Sequence, residues 1–457
     1  MTRQIEPLST LSPASLPPEA SQPKIFSQIP RPWQSLLWGL ALSTTAVTTT
    51  LAGIGAAWFI PWVPQTGSSA PSATTVGQAG PLPYQLTRPV NILVMGIDRV
   101  EDAPPQSPEA FAGRSDTILL LRFDPQQSSL KVLSIPRDTR VSIPRVGYSK
   151  INNANIYGGA ELAAQVISQN LQEVPIDRYV RVTTNAFREL VDLVGGVEVY
   201  VPTPMVYQDV TQKLTINLEA GEQVLNGDQA EQFARFRKDG KGDIGRVQRQ
   251  EVLLKALQQR FTSPLVIPRI PQAIQVLQQS VDTNLTPEEV LALVNFAYQL
   301  KREQVQMVML PGRFSQPTEF DGLSYWLFSE SGRDRVMEQY FGLSSQTATS
   351  PTQASPQRLS IAIQNATDDP ALAEALQTHL RQQHFRNVYI STDAPQLLAE
   401  TEIIAQQGDL QSAKLIQQYL GGGKVEASST GILGSDITLR LGLDAPRLLA
   451  QPATVQP

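Results

Sequence analysis

PVNILVMGID, residues 89–98, is the stretch on which the fold turns. A short, unbroken apolar run bounded by Pro89 and Asp98 describes a strand buried on both faces, since a strand with one wet face would alternate polar and apolar residues. Two similar runs follow. TILLLRF (117–123) is preceded by Ser115 and Asp116, and LKVLSI (130–135) runs into Pro136, Arg137 and Asp138. Together they predict a central sheet whose strand ends place Asp98, Asp116 and Arg137 on connections at its edge, where open α/β sheets build their sites. Two carboxylates without histidine or cysteine are hard oxygen ligands, suited to Mg²⁺ shared with phosphate oxygens. An Asp beside a strand is equally an ordinary turn residue.

Outward from these strands, helical and strand patterns alternate. An amphipathic helix is expected over 160–171, a strand over 176–182, a helix through Phe187, Leu190, Val191 and Val194 stopped by Gly195 and Gly196, and a strand over 197–201. Asn226 to Gln229 reads as a capping box that opens a helix through Phe233. Further helices are expected over 244–261, 272–279 and 286–300. This alternation predicts an α/β (α+β) fold with a central sheet flanked by helices. The apolar stripes of the late helices (Leu253, Leu257, Val276, Leu291, Leu293, Phe296) suit either a lipid groove or plain core.

ARFRKDGKGDIGRVQRQ (234–250) gathers Arg235, Arg237, Arg246 and Arg249 in a chain whose net charge is −5. Arg235 and Arg237 flank Phe236 at a spacing of two, so in an extended segment both guanidinium groups point one way. Asp243 is the expected N-cap of the following helix, on which Arg246, Arg249 and Gln250 share a face that continues into Leu253 and Leu257. A basic first turn also has the helix dipole in favour of an anion. Such a surface suits a ligand with a charged head and an apolar tail. The overall acidity argues against nucleic acid as a partner. With 0 cysteines, disulfides, thiolate catalysis and Cys-based zinc sites are excluded; the 2 histidines, His379 and His384, lie too far down the chain to build a triad or a His-rich metal site in the centre.

Residues 1–34 read as a disordered cytoplasmic tail and 35–63, which carry no charged side chain, as a transmembrane helix longer than the ~20 residues a bilayer needs. Trp33, Trp38, Trp58 and Trp62 sit near its ends, and Arg3, Lys24 and Arg31 precede it, so the N-terminus is expected inside and the main domains outside. Residues 64–88 form a linker and 89–315 the central domain. A connecting segment, 316–357, ends in the Ser/Thr/Gln/Pro-rich stretch 345–357. A smaller α/β domain covers 358–445, followed by a tail, 446–457. Strands are expected there over 359–363, 388–391, 425–428 and 437–441, and helices over 370–383 and 410–420. No catalytic constellation is visible in it, which leaves a wall-binding or partner-binding role.

The ordered set NILVMGID (91–98), GRSDTILLLRFDP (113–125), LSIPRDTRV (133–141), KINNANIYGG (150–159), LVDLVGGVEV (190–199), LNGDQA (225–230), FARFRKD (233–239) and DIGRVQRQ (243–250) resembles the LytR-CpsA-Psr family of membrane-anchored cell-wall enzymes. The resemblance covers roughly 89–265, and the C-terminal part is similar to the LytR C-terminal-type domain. It implies a phosphotransferase that moves an anionic glycopolymer from an undecaprenyl-pyrophosphate carrier to a peptidoglycan hydroxyl at the bacterial cell membrane, its partners being polyprenyl-pyrophosphate-linked glycan, peptidoglycan and membrane lipid. It further implies Asp98 and Asp116 as Mg²⁺ ligands, and Arg137, Lys150, Arg235, Arg237, Arg246, Arg249 and Gln250 as pyrophosphate-binding residues. Asp116, Arg137, Arg237 and Arg246 would be the catalytic ones, with Asp116 or Asp138 orienting the attacking hydroxyl. One departure is Asn155, where the family more often carries an aromatic residue. A non-catalytic module that binds lipid pyrophosphate or wall glycan, or a polyprenyl-pyrophosphate hydrolase, would use the same basic pocket.

Overall fold

The structure, a computed structural model, describes residues 84–98, 103–104, 107–209, 214–238, 242–261, 266, 281–343, 358–391, 394 and 396–450. The expected membrane helix, the N-terminal tail, the helix over 272–279, the stretch 345–357 and residues 451–457 lie outside the described residues; the tail expected from 446 onward instead begins as a short helix, Ala445–Leu449, whose Ala445 and Leu448 are buried. Among those described, no helix is long and apolar enough to cross a membrane.

The three apolar runs form adjacent strands β1 (Val90–Ile97), β2 (Ser115–Asp124) and β3 (Ser129–Ser134). The β2–β3 hairpin closes because the Asp124 carboxylate accepts the amides of Gln126 and Gln127, at 3.0 and 3.1 Å. A second hairpin, β4 (Arg140–Ile143) and β5 (Gly147–Lys150), leads into α1 (Ala154–Asn170). The chain returns as β6 (Arg178–Thr183), parallel to β1, and continues into α2 (Thr184–Leu193). Next come β7 (Val197–Val201), β8 (Met205–Asp209), β9 (Leu214–Leu218), β10 (Gly221–Leu225), α3 (Gly227–Arg235) and α4 (Gly242–Phe261). The lobe ends with β11 (Val281–Thr283), α5 (Pro287–Gln299), β12 (Val305–Met309), β13 (Gly312–Phe314), β14 (Trp326–Phe328) and α6 (Glu330–Phe341).

The main sheet runs β11-β6-β1-β2-β3-β12 and mixes parallel and antiparallel pairs. Its strands β1, β2 and β3 are buried on both faces, as their apolar runs require. Leu93, Met95, Ile118, Leu120 and Leu133 pack under α1 and α6, while Leu119, Val132 and Met307 face the other way, with Val94, Leu121, Leu130 and Leu254 half-buried beside them. A smaller lobe has its own core, built by β7–β10 with α2, α3 and α4. The expected capping box forms at Asn226 with Gln229, and a second forms at Thr286 with Glu289. Gly227 opens α3 without a Cβ, which would meet the Arg188 carbonyl at 2.2 Å; the glycine lets α3 close on α2.

One expectation changes and one open reading is decided. The helix that carries Arg246 starts at Gly242, ahead of Asp243, so Asp243 is not its N-cap. Leu253 and Leu257 are 3% and 8% exposed and belong to the small lobe's core, not to a groove.

The C-terminal domain is a five-stranded sheet with helices. In chain order it comprises β15 (Ser360–Asn365), α7 (Ala371–Gln382), β16 (Asn387–Ile390), β17 (Glu402–Ala405), α8 (Leu410–Leu420), β18 (Lys424–Ala427), β19 (Ile437–Leu441) and α9 (Ala445–Leu449). Strand order is β16-β15-β19-β17-β18. Strand β17, not anticipated, is antiparallel to β19 and forms most of the join to β18.

Candidate active site

Antiparallel pairing of β1 with β2 brings the two aspartates to one end of the sheet. Ile97 faces Ser115 across a bulge, Asp98 follows β1 and donates its amide to the Arg114 carbonyl at 2.9 Å, and Asp116 is the second residue of β2. Arg137 stands in the turn that leaves β3. Its Nη1 donates to Asp116 Oδ2 at 2.8 Å, and Arg246 Nη1, from α4, lies 3.7 Å from the same oxygen. Arg137 Nε is 3.7 Å from Asp138 Oδ2, while Lys150 Nζ, at the end of β5, is 2.9 Å from Asp138 Oδ1. Arg235, the last residue of α3, approaches Asp98 at 3.9 Å. Four separate segments thus deliver one continuous chain of charges, Arg246–Asp116–Arg137–Asp138–Lys150, with the Asp98–Arg235 pair beside the Asp98 end of the sheet.

Burial differs along this chain. Asp138 and Arg246 are buried, whereas the Asp98 side chain is 40% exposed. Asp116 Oδ1 is buried and makes no hydrogen bond among the described residues. A buried carboxylate oxygen left in that state is costly unless a cation or a donor completes it. Among the described residues no group of three or more His, Cys, Asp or Glu side chains could hold a metal.

The other predicted residues are placed as follows. Arg237 is exposed, two positions past the end of α3, with Phe236 turned into the core between it and Arg235. Gln250 is half-buried on α4. Arg249 turns back: its guanidinium donates to the Phe236 carbonyl and lies over the Phe236 ring, bracing the α3–α4 connection. The patch is also better balanced than the sequence suggested, because Glu231, one turn before Arg235, accepts from it at 3.0 Å and lies 3.4 Å from Arg188. An i,i+4 pairing on a helix was the available signal.

Three residues with supporting jobs were missed. Asn152, 3% exposed, acts through its backbone: its N–H donates to the Arg137 carbonyl at 3.2 Å and its carbonyl accepts from the Ser115 hydroxyl at 3.4 Å, clipping the hairpin exit to both strand ends. Asn155, the departure from the family pattern, is 2% exposed and donates to the carbonyls of Phe111 and Gly113, both at 2.8 Å. It anchors the segment between β1 and β2. Glu251, on the side of α4 away from Arg246, accepts Ser428 Oγ at 2.7 Å and the Ser429 amide at 2.9 Å from the C-terminal domain. No local pattern could reveal a contact across so much sequence.

The family model for the LytR_cpsA_psr family matches residues 65–341, more than half of the chain. The chain belongs to the LytR-CpsA-Psr family. A second match, described as LytR cell envelope-related transcriptional attenuator, takes in residues 358–444. Among relatives, the chain is similar to the polyisoprenyl-teichoic acid–peptidoglycan teichoic acid transferase TagV of Bacillus subtilis, at 36% identity over 45% of this chain and 52% of TagV. The TagU protein of Bacillus mycoides is 30% identical over 55% of this chain and 77% of its own length. The chain thus spans about half the length of TagV and more of TagU. A solved Streptococcus agalactiae protein, 22% identical with a TM-score of 0.51 over 57% of this chain and 91% of its own, shares the fold. The LytR-CpsA-Psr match takes in every element that supplies a charge to the cluster, from β1 to α4.

Proposed function

We propose that the chain is a membrane-anchored phosphotransferase that moves an anionic glycopolymer from a polyprenyl-pyrophosphate carrier to a peptidoglycan hydroxyl. The observation that carries this reading is Asp116, one oxygen of which faces Arg137 and Arg246 from distant segments while the other is buried and makes no hydrogen bond among the described residues. The names of TagV and TagU, both peptidoglycan teichoic acid transferases, support the same chemistry. The uncharged run 35–63 supports the anchor, and the half-buried apolar side chains Val94, Leu121, Leu130 and Leu254 support an apolar carrier.

Phosphoryl transfer asks little covalent chemistry of a protein; it needs positioning and neutralisation of charge on the phosphate oxygens. Arg137, Arg235 and Arg246 serve through planar forks that match phosphate oxygens two at a time, with exposed Arg237 and Lys150 adding charge at the rim. Arg249 acts by holding the α3–α4 connection rigid, and Gln250 offers an amide on the same face of α4. The residues present fit a magnesium ion: Asp98 and Asp116 are hard oxygen ligands, Asp116 Oδ1 makes no hydrogen bond among the described residues, and Mg²⁺ commonly takes one or two carboxylates with phosphate and water. When bound, it would neutralise pyrophosphate oxygens. The acceptor hydroxyl oxygen forms the new P–O bond as the bridging P–O bond to the lipid phosphate breaks; the electron pair stays with the leaving lipid monophosphate and the hydroxyl proton passes to solvent.

Turnover of a synthetic lipid-linked donor with soluble peptidoglycan fragments, followed by product mass, tests this reading. Asp116→Ala and Arg246→Ala are each expected to reduce transfer by at least ~100-fold. Wild-type turnover in both variants, or a product mass showing water in place of the sugar, refutes it.

A further inference from the structure

The β4–β5 hairpin leads from the charge cluster to an exposed aromatic patch. Its register pairs Arg140 with Lys150 and Ser142 with Tyr148. Residues two apart on a strand share a face about 7 Å from each other, so Tyr148 and Lys150 look the same way. Lys150 ends on Asp138, inside the cluster. Tyr148 is 68% exposed, and its ring lies against the Arg140 guanidinium, 3.9 Å from the centroid. Phe320 and Tyr325 face the same guanidinium at 4.6 and 5.9 Å and meet each other edge to face at 5.2 Å. Lys150 Nζ is itself 5.9 Å from the Tyr325 centroid, so the patch and the cluster are continuous.

The loop that carries these rings is pinned. Ser315 donates its amide to the Tyr325 carbonyl at 2.8 Å, Tyr325 returns its amide to Ser315 Oγ at 2.9 Å, and Arg313 grips Glu319 through two bonds of 2.9 and 2.7 Å. That grip, with the Gln316 amide, holds the Glu319 carboxyl down at about 2. A preorganised aromatic surface with a stacked arginine, and with Leu323 56% exposed beside it, marks a binding surface more than a plain exterior.

We propose that Tyr148, with Arg140, Phe320 and Tyr325, is the platform on which a sugar ring of the acceptor glycan strand stacks. A pyranose offers an apolar C–H face to a ring and hydroxyls to a flanking guanidinium, which is the pairing this surface supplies. The choice of acceptor over donor glycan rests on the phosphotransferase reading. In phosphoryl transfer the entering and leaving oxygens lie roughly in line across phosphorus. The charge chain runs from Arg246 through Asp116, Arg137 and Asp138 to Lys150. With the leaving lipid phosphate assigned to the Arg246 end, the hairpin stands at the entering end. The entering sugar comes from the hairpin side.

The test uses the full chain and a soluble peptidoglycan-derived oligosaccharide. In Tyr148→Ala, with an unchanged melting temperature, the acceptor KM is expected to rise about tenfold with kcat and donor KM kept, the signature of lost ground-state binding. Tyr148→Trp should restore it, and Phe320→Ala should act in the same direction as Tyr148→Ala. An unchanged acceptor KM overturns the proposal, and so does a rise confined to the donor KM. Titration of the oligosaccharide without donor separates this from the activity itself. If the wild type transfers nothing, binding that weakens in Tyr148→Ala still supports the platform, and binding that does not weaken overturns it.

Discussion

Asp116 and Asn155 show what single residues do at this site. Replacing Arg246 with Lys keeps a charge but removes the guanidinium fork; transfer should fall about 10- to 100-fold while the melting curve stays near wild type, as read by turnover and thermal unfolding side by side. Equal turnover would mean that Arg246 acts as a point charge only. Asn155 acts through structure. Asn155→Ala strips the donor from two buried carbonyls and the acceptor that lies 3.3 Å from Arg181, at a cost of about 2 kcal/mol in denaturant unfolding. Asp98, Asp116 and Arg137 could be read from the sequence as a set, because each stands next to an unmistakable buried strand. The role of Asn155 could not, since an Asn beside a turn looks the same whether its side chain faces solvent or ties two segments together, and the backbone bonds of Asn152 leave no mark in its side chain.

Helix α4 works on two faces. One carries Arg246 and Arg249 and runs into the small lobe's core. The other carries Gln248, Glu251 and Lys255. Gln248 donates to the Ser429 and Gly431 carbonyls at 2.9 and 2.8 Å, and Lys255 is held by Glu251 at 3.1 Å and by Glu426 of the C-terminal domain. Burial, the largest influence, disfavours the Lys255 ammonium, but Glu251 and Glu426 together outweigh it and raise its pKa above the ordinary lysine value. A raised pKa contributes stability that is present below the unfolded value and lost as pH rises through the folded one. Unfolding free energy should therefore be insensitive to this clasp from pH 7 to about 9.5, and the clasp should fail only above about pH 10.5. Glu251→Ala should cost about 3 kcal/mol at pH 7, because it strands buried donors of Ser428, Ser429 and Lys255. A denaturant titration that shows no loss would remove the clasp from the account. The apolar continuation of the arginine face suited groove and core equally; packing of β7 to β10 against Leu253 and Leu257 decided for core.

At the scale of the whole molecule, the C-terminal domain is part of the wall behind the site. The Tyr340 hydroxyl donates to the Gly408 carbonyl at 3.3 Å, Arg335 pairs with Asp409 at 3.4 Å, and Ala427 joins the main lobe's core. Burial lifts the Tyr340 phenol well above its usual value. Gly408 has a positive φ of 79°, and a Cβ there would press on Tyr340 at 3.0 Å, so the glycine sets how closely the two parts approach. A chain ending at Leu343 is expected to melt several degrees lower and to transfer more slowly, since α4 loses the partners of one whole face. Scanning calorimetry and donor turnover on the shortened chain check this; an unchanged melting temperature would show that the docking is incidental.

The sequence by itself determined the strands of the main sheet, the capped helices, the family and the residues that carry charge at the strand ends. These follow from local periodicity, caps and runs of side chains, which are properties of neighbours along the chain. Only the tertiary structure decided that Arg137 and Arg246 share one oxygen of Asp116, that Arg249 braces Phe236, that Tyr148 stands beside Phe320 and Tyr325, and that the C-terminal domain grips α4. Apart from the Arg249 brace, which bridges 13 positions, each of those contacts joins segments far apart in sequence, and their distance in space is set by how the sheet and the two lobes pack.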